Sequence, residues 1–299
     1  MTSLVVIVPV YNEIGNIQPF YERTRAVLES LPLDWKIVFV NDGSSDGSLE
    51  RIRELNAQDG RVKVISLSRN FGYHAVLYAG LSLVEADRYA MIDVDCEDPP
   101  ELLRDFHAAI EDGNDIAYGI RSNREEPAIV TLFRRIFYYL NRSIADSEIV
   151  LWMSEFGMMT RQVRDTVLVP QTTYLFLRAE IAYAGFARVG IPYRRAARSS
   201  GKTHYNVFNM TRFAVSGFLA GSTFPLRLVL YVAVLLAVLF PIAILLGRLG
   251  PDSAAVLAII ATFYFALFAI STMALYLART YKNGVARPLF IVDRRRTLL

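Results

Sequence analysis

Cysteine is almost absent: Cys96 is the only one in 299 residues. A lone thiol excludes an intramolecular disulfide and fits a reducing compartment. Charge of one sign is also scarce. The formal net charge is only +3, and no long basic tract precedes the C-terminus, so no nucleic-acid partner is expected. With three histidines in the chain, histidine-based acid–base catalysis has few candidates. No Gly-rich phosphate loop stands near the N-terminus, where a sugar nucleotidyltransferase needs one. The first apolar run, Leu4 to Val10, has no basic leader and passes straight into Tyr11-Asn12-Glu13, so no signal peptide is expected.

Apolar residues, by contrast, are plentiful. They make up 53% of the chain, with a mean hydropathy of +0.30, and the excess lies after Phe224. Leu228 to Leu246 and Ala254 to Leu277 carry no charge, and each is long enough to cross a hydrocarbon core of about 30 Å as a helix. Arg248, Gly250, Pro251 and Asp252 form the connection, which makes the pair a transmembrane hairpin with a kink expected at Pro241. Basic residues crowd the far side, at Arg279, Lys282, Arg287 and Arg294 to Arg296, against a single arginine in the hairpin loop. The positive-inside rule then puts the tail and everything before the hairpin in the cytoplasm. The expected organisation is a cytosolic catalytic domain over 1–204, an amphipathic interfacial helix over 205–224 with Arg212 among aromatics, a hairpin over 225–278, and a basic cytosolic tail over 279–299.

The first half alternates apolar β-branched runs with helical periodicity. Strands are predicted at Leu4–Val10, Trp35–Val40, Val62–Leu67 and Tyr89–Asp93, with helices at Ile14–Leu31, Ser48–Ala57 and His74–Ala86. This is the pattern of a doubly wound, mostly parallel α/β sheet, whose ligands sit at the carboxyl ends of the strands. Past residue 120 the pattern weakens, apart from a basic, aromatic stretch over Phe133 to Ile144.

Polar residues cluster at those strand ends. In Asp93-Val94-Asp95-Cys96-Glu97-Asp98-Pro99-Pro100-Glu101, alternation along an extended segment would aim Asp93, Asp95 and Glu97 the same way. Three such carboxylates repel unless a cation neutralises them, and Mg²⁺ or Mn²⁺ takes oxygen ligands of this kind. A solvated acidic turn is the alternative. Pro9-Val10-Tyr11-Asn12-Glu13 and Asn41-Asp42-Gly43-Ser44-Ser45-Asp46 offer carboxylates to a base or ribose, although Asn-Asp-Gly also reads as a plain turn. Ser68-Arg69-Asn70-Phe71-Gly72-Tyr73-His74 enters a helix, where amides and Arg69 suit an anion, while His74 caps or packs.

Together these segments, with Gly201-Lys202-Thr203-His204-Tyr205 before the hairpin and Arg287-Pro288-Leu289-Phe290-Ile291-Val292 after it, resemble the family 2 glycosyltransferases. Within that family the chain looks like the polyprenyl-phosphate group, which includes dolichol-phosphate mannose synthases and the undecaprenyl-phosphate glucose and aminoarabinose transferases. The resemblance covers nearly the whole chain. It implies a glycosyltransferase A type of nucleotide-binding fold and transfer, with inversion, of a sugar from a UDP- or GDP-linked donor to a polyprenyl phosphate at the membrane lipid. It implies that Pro9, Tyr11, Glu13, Asp42, Arg69, Gly72 and Asp93 bind the nucleotide sugar. Asp93, Asp95 and Glu97 would hold the metal, and Asp95, Glu155 and Arg121 would serve catalysis. Arg121, Arg124, Arg134, Arg135 and Lys202 are implied for the acceptor phosphate, which an arginine fork suits. Relatives also imply a homo-oligomer, a tetramer among them.

Three positions depart from the family pattern: Glu97 stands where Gln is usual, Glu155 where Asp is usual, and Lys202 where Glu is common. They point to an unusual sugar or an altered activity, and Phe156-Gly157-Met158 looks closer to the aminoarabinose transferases than to the glucosyl ones. A processive synthase of the same fold would carry Gln-x-x-Arg-Trp, which is absent. A nucleotide-binding membrane scaffold without activity is the competing reading from outside enzymology.

Overall fold

The computed structural model describes residues 2–122, 153–169, 176–195, 223–245 and 251–299. Arg124, Arg134, Arg135, Lys202, the stretch 133–144 and the expected interfacial helix up to residue 222 lie outside the described residues.

Strands β1 (Ser3–Val10), β2 (Asp34–Asn41), β3 (Val62–Ser66) and β4 (Arg88–Met91) are parallel neighbours, in the spatial order β3-β2-β1-β4. The sheet continues through β6 (Met153–Thr160), β5 (Ile116–Arg121) and β7 (Arg188–Tyr193), with β6 antiparallel to both β4 and β5. Helices α1 (Ile14–Leu28), α2 (Ser48–Gln58), α3 (Tyr73–Leu83), α4 (Leu103–Glu111), α5 (Arg161–Leu168) and α6 (Leu177–Tyr183) cover it. The expected mostly parallel sheet is present, with β6 as its antiparallel member.

Burial on both faces explains the continuous apolar runs. Leu4, Val6 and Val8 of β1 join Phe20, Phe39, Ile52 and Phe106 in one core, whereas Val5 and Ile7 join Val38, Val40, Leu77 and Tyr89 in the other. Successive side chains therefore serve opposite layers, as strand geometry requires. Gly80 lets α3 lie close on β1: a Cβ there would come within 2.5 Å of Ile7 Cγ2.

β4 is shorter than predicted. It ends at Met91, and residues 94–98 turn, with Cys96 at φ 56°. Asp93, Asp95 and Glu97 are thus not on an extended segment, and the alternation expected to align them does not operate.

At the other end, α7 (Phe224–Leu245) and α8 (Pro251–Val285) pack against each other as an apolar pair. Pro241 lies within α7, and Pro251 opens α8, where a missing N–H costs nothing. Leu230, Leu235, Val238, Phe263, Tyr264 and Ile270 are exposed, and among the described residues of α8 Thr272 is the buried one. Apolar side chains facing outward along two helices suit a lipid surround. By composition and length Phe224–Ile242 and Ala255–Val285 could each span a membrane. At 1.5 Å per residue α8 is about 52 Å long, more than crossing a hydrocarbon core of about 30 Å requires.

The tail after α8 does not trail freely. Leu298 pairs antiparallel with Val64 and Val292 with Leu67, while Phe290 and Val292 pack on the second core. The end of the expected basic tail is thus paired with and packed against the α/β sheet.

Candidate active site

The carboxyl ends of β1, β2 and β4 carry interlocking turns. Asn41 accepts from the Ser44 amide at 3.1 Å and donates to the Ser66 hydroxyl at 3.1 Å. Asn12, at φ 56°, donates its amide to the Ser44 hydroxyl at 3.0 Å and accepts from the Ser45 amide at 2.8 Å. Asp46 accepts from the Ile14 amide and from Ser48, which ties the starts of α1 and α2 together. Burial opposes ionisation of Asp46, but these donors, led by the Ser48 hydroxyl, outweigh it and lower its pKa. Tyr11 projects from the end of β1, half exposed, with Pro9 and Glu13 partly buried on either side.

Asp42 is 3% exposed, and its two oxygens accept from the Phe71 and Gly72 amides at 2.7 and 2.9 Å. Burial raises its pKa, and those amides pull it back. Asp42 therefore shapes the loop 68–72 before it meets any ligand. Gly72, at φ 94° and ψ 161°, occupies backbone space that is essentially reserved for glycine and opens α3. Gly43, at φ 71°, lets the loop lie against β2, since a Cβ there would sit 2.7 Å from the Arg69 carbonyl carbon. Arg69 is exposed, with its guanidinium 3.9 Å over the Phe71 ring.

At the end of β4, Asp93 accepts from the Tyr73 hydroxyl at 2.9 Å. Burial, then the charges of Asp98 and Asp95, push its pKa up to about 7, and Glu155 adds to the same negative field. Asp95 accepts from the Glu97 amide at 3.1 Å, closing the turn. The Glu97 carboxylate lies 2.6 Å from Arg195. Among the described residues no three of His, Cys, Asp and Glu are arranged to hold a metal ion. Of the expected triad, Asp93 and Asp95 lie close enough for the Asp95 charge to raise the Asp93 pKa, while the Glu97 carboxylate is paired with Arg195.

The network behind the turn was not foreseen. Asp98, 1% exposed, accepts from Tyr193 at 2.5 Å and from Arg121 at 3.0 Å, with Arg195 at 3.6 Å. Arg121 also donates to the Tyr193 hydroxyl at 3.0 Å. The expected acceptor-phosphate arginine thus braces the acidic turn against the ends of β5 and β7. Its guanidinium pKa is raised despite burial, chiefly by Asp98. Arg121→Ala should destabilise the protein by about 1.5 to 3 kcal/mol, because it takes one charge-assisted partner from the buried Asp98 while Tyr193 and Arg195 remain. Denaturant melts of the variant beside Asp98→Asn/Arg121→Ala check this: the double variant should recover part of the loss. Equal losses in both would show that the Asp98 charge is not what Arg121 balances.

Glu155, on β6, pairs with Arg178 at 2.6 Å, and Arg178 also donates to the Met153 carbonyl at 3.0 Å. His74 packs between the Tyr73 and Phe176 rings, and burial, with Arg178 nearby, lowers its pKa to about 4, so it stays neutral near pH 7. Tyr73, Arg178, Tyr193 and Arg195 were missed because only the folded sheet brings their segments to this place. Tyr73 alone had a signal, since it follows the Gly72 that opens α3.

An α/β sheet of this order, with an acidic turn at the end of its fourth strand, defines a glycosyltransferase A type of fold. The chain belongs to glycosyl transferase family 2, whose model matches residues 5–181. It is 30% identical to the uncharacterized glycosyltransferase YkcC of Bacillus subtilis over 97% of this chain and 93% of that protein. It is 31% identical to a protein of Shigella phage SfV named bactoprenol glucosyl transferase, over 79% of this chain and 77% of that one. Its fold is similar to that of a mannosyltransferase from Pyrobaculum calidifontis solved with GDP-Man and Mn2+. The TM-score is 0.51 at 17% identity, covering 93% of this chain and 75% of the other.

Proposed function

We propose that this chain transfers a sugar from a UDP- or GDP-linked donor to a polyprenyl phosphate at the cytoplasmic face of a membrane. One observation carries the reading: a family 2 chain gathers the charges of Asp93, Asp95, Asp98 and Glu155 near the end of β4 and also carries two helices whose apolar side chains face outward. The relatives named bactoprenol glucosyl transferase support a polyprenyl phosphate as acceptor. Attachment of the tail to β3 supports having both ends of the hairpin on one side, and the arginines of that tail favour the cytoplasm.

Asp93 and Asp95 fit a hard divalent cation, Mg²⁺ or Mn²⁺, as donors. Mg²⁺ in particular commonly takes one or two protein carboxylates and completes its shell with substrate phosphates and water. When bound, such an ion would offset the diphosphate charge. The loop 68–72 and Tyr11 would hold the nucleotide, and Tyr73 would orient Asp93. A phosphate monoester is largely doubly ionised near pH 7, so the nucleophile needs no strong base. The neutral, packed His74 agrees with that. What the protein must supply is position, bringing two polyanions together. Arg124, Arg134, Arg135 and Lys202 remain the proposed acceptor-phosphate groups.

The test is turnover by the full-length protein on polyprenyl phosphate with a panel of nucleotide sugars. Formation of a polyprenyl-phosphate-linked sugar supports the reading and names the sugar. Nucleotide binding without turnover on any donor would instead favour the scaffold.

A further inference from the structure

β3 is the edge of the sheet, and its outward backbone groups include those of Val64 and Ser66, followed just past the strand by Ser68. All three are taken up by the tail. Val64 exchanges both bonds with Leu298, at 2.8 and 2.7 Å. The Ser66 carbonyl accepts from the Asp293 amide at 2.8 Å, and the Ser66 amide donates to the Thr297 hydroxyl at 3.1 Å. The Ser68 amide donates to the Ile291 carbonyl at 2.9 Å. Arg53 holds the intervening turn through the Arg295 carbonyl at 3.2 Å.

Protecting an edge strand would need only some of these bonds. The contact reaches further, because Ser68 begins the loop that Asp42 grips at Phe71 and Gly72 and that Gly43 admits beneath Arg69. Phe71, Phe290 and Val292 all pack on the same core. The loop is thus held at one end by Asp42 and at the other by a segment continuous with α8, the helix leaving the apolar hairpin.

We propose that residues 290–298 form a strap on the donor site, fixing the loop 68–72 so that nucleotide binding and docking of the tail reinforce each other. The inference rests on the reading that this loop takes the nucleotide. Its consequence is that the donor site is assembled from both ends of the chain and is complete only when the segment emerging from the hairpin has folded back on β3. Asp293 acts as a positioning residue on the strand through its amide, while its side chain closes the following turn by accepting from the Arg295 amide at 3.0 Å.

Linkage makes the coupling reciprocal, so it can be read in the wild-type protein. Hydrogen exchange of the full-length chain is measured with and without saturating UDP or GDP and Mn²⁺. Exchange of the Asp293 and Leu298 amides should slow by about fivefold or more, the low end of ordinary coupling between linked sites. Protection of 68–72 without any change in the tail would overturn the strap while sparing the donor site. No protection in either segment with both nucleotides would count against the donor site itself. A pair of variants adds a kinetic arm. Asp293→Pro, which lacks the amide hydrogen, should raise the donor KM by about fivefold or more on the same coupling scale. Its kcat and acceptor KM should stay near those of Asp293→Ala, which keeps the amide. Equal donor KM values in two folded variants would also overturn the strap, and a purely structural role would move kcat and both KM values together.

Discussion

Asp95→Asn is expected to lower turnover by about 100- to 1,000-fold or more, the range seen when one preorganised electrostatic group is removed from an active site. The substitution is close to isosteric. The Asp95 oxygen that closes the turn accepts from the Glu97 amide at 3.1 Å, a bond that an asparagine carbonyl oxygen retains. The fold should survive, and what is lost is a negative charge beside Asp93. If that charge helps to hold a divalent ion against the donor diphosphate, nucleotide binding should lose its dependence on Mn²⁺ as turnover falls. Glu97→Gln is the informative contrast. Its carboxylate faces Arg195, so the variant should keep most of its metal-dependent nucleotide binding. The measurements are turnover, nucleotide affinity with and without Mn²⁺, and a thermal melt for each protein. A well-folded Asp95→Asn protein that turns over normally would remove the metal from the proposed function.

The parallel half of the sheet was legible because its signals are local. The run Leu4–Val8 is apolar at every position, and each residue is fully or nearly fully buried in one core or the other. Asn12, Asn41, Gly43, Asp46 and Gly72 were legible as turn residues, and each does the backbone work its type allows. The second half of the sheet was not legible. β6 contains Glu155 and Gly157, and a Cβ on Gly157 would come within 2.7 Å of the Ala117 carbonyl. Such a strand is defined by its neighbours, not by its own periodicity.

At the site, residue types were easier to identify than partners. Asp93, Asp95, Arg121 and Glu155 were all singled out, but their roles depend on charges arriving from distant segments. Arg121 spends its bonds on Asp98 and Tyr193, and Glu97 meets Arg195. Glu97 is an ion-pair partner for Arg195, which a neutral amide in its place could not be. The tail gave the least local signal, because its pairing with β3 spans almost the whole chain.

Because the end of the tail is packed against the sheet, truncation before the hairpin would remove the strap together with the anchor and confuse the two. The apolar pair is better tested by replacing residues 224–285 with a flexible polar linker that keeps 286–299 and is long enough for the tail to reach β3. Nucleotide binding should then persist, since the residues from β1 to α3 and the tail are all retained. Transfer to long-chain polyprenyl phosphate in vesicles should fall by about 100-fold or more, because a site held at the bilayer sees its acceptor at a far higher effective concentration than a site free in solution. A short, water-soluble prenyl phosphate should recover much of the rate, as it diffuses to either protein equally. The decisive quantity is the ratio of rates on the two acceptors, which cancels any loss common to both. Residues 224–285 are the part with outward-facing apolar side chains, and they make the proposed acceptor accessible only if they lie in lipid. The same ratio in both proteins, with nucleotide binding intact, would show that the hairpin plays no part in acceptor access and would leave its exposed apolar surface to some other partner.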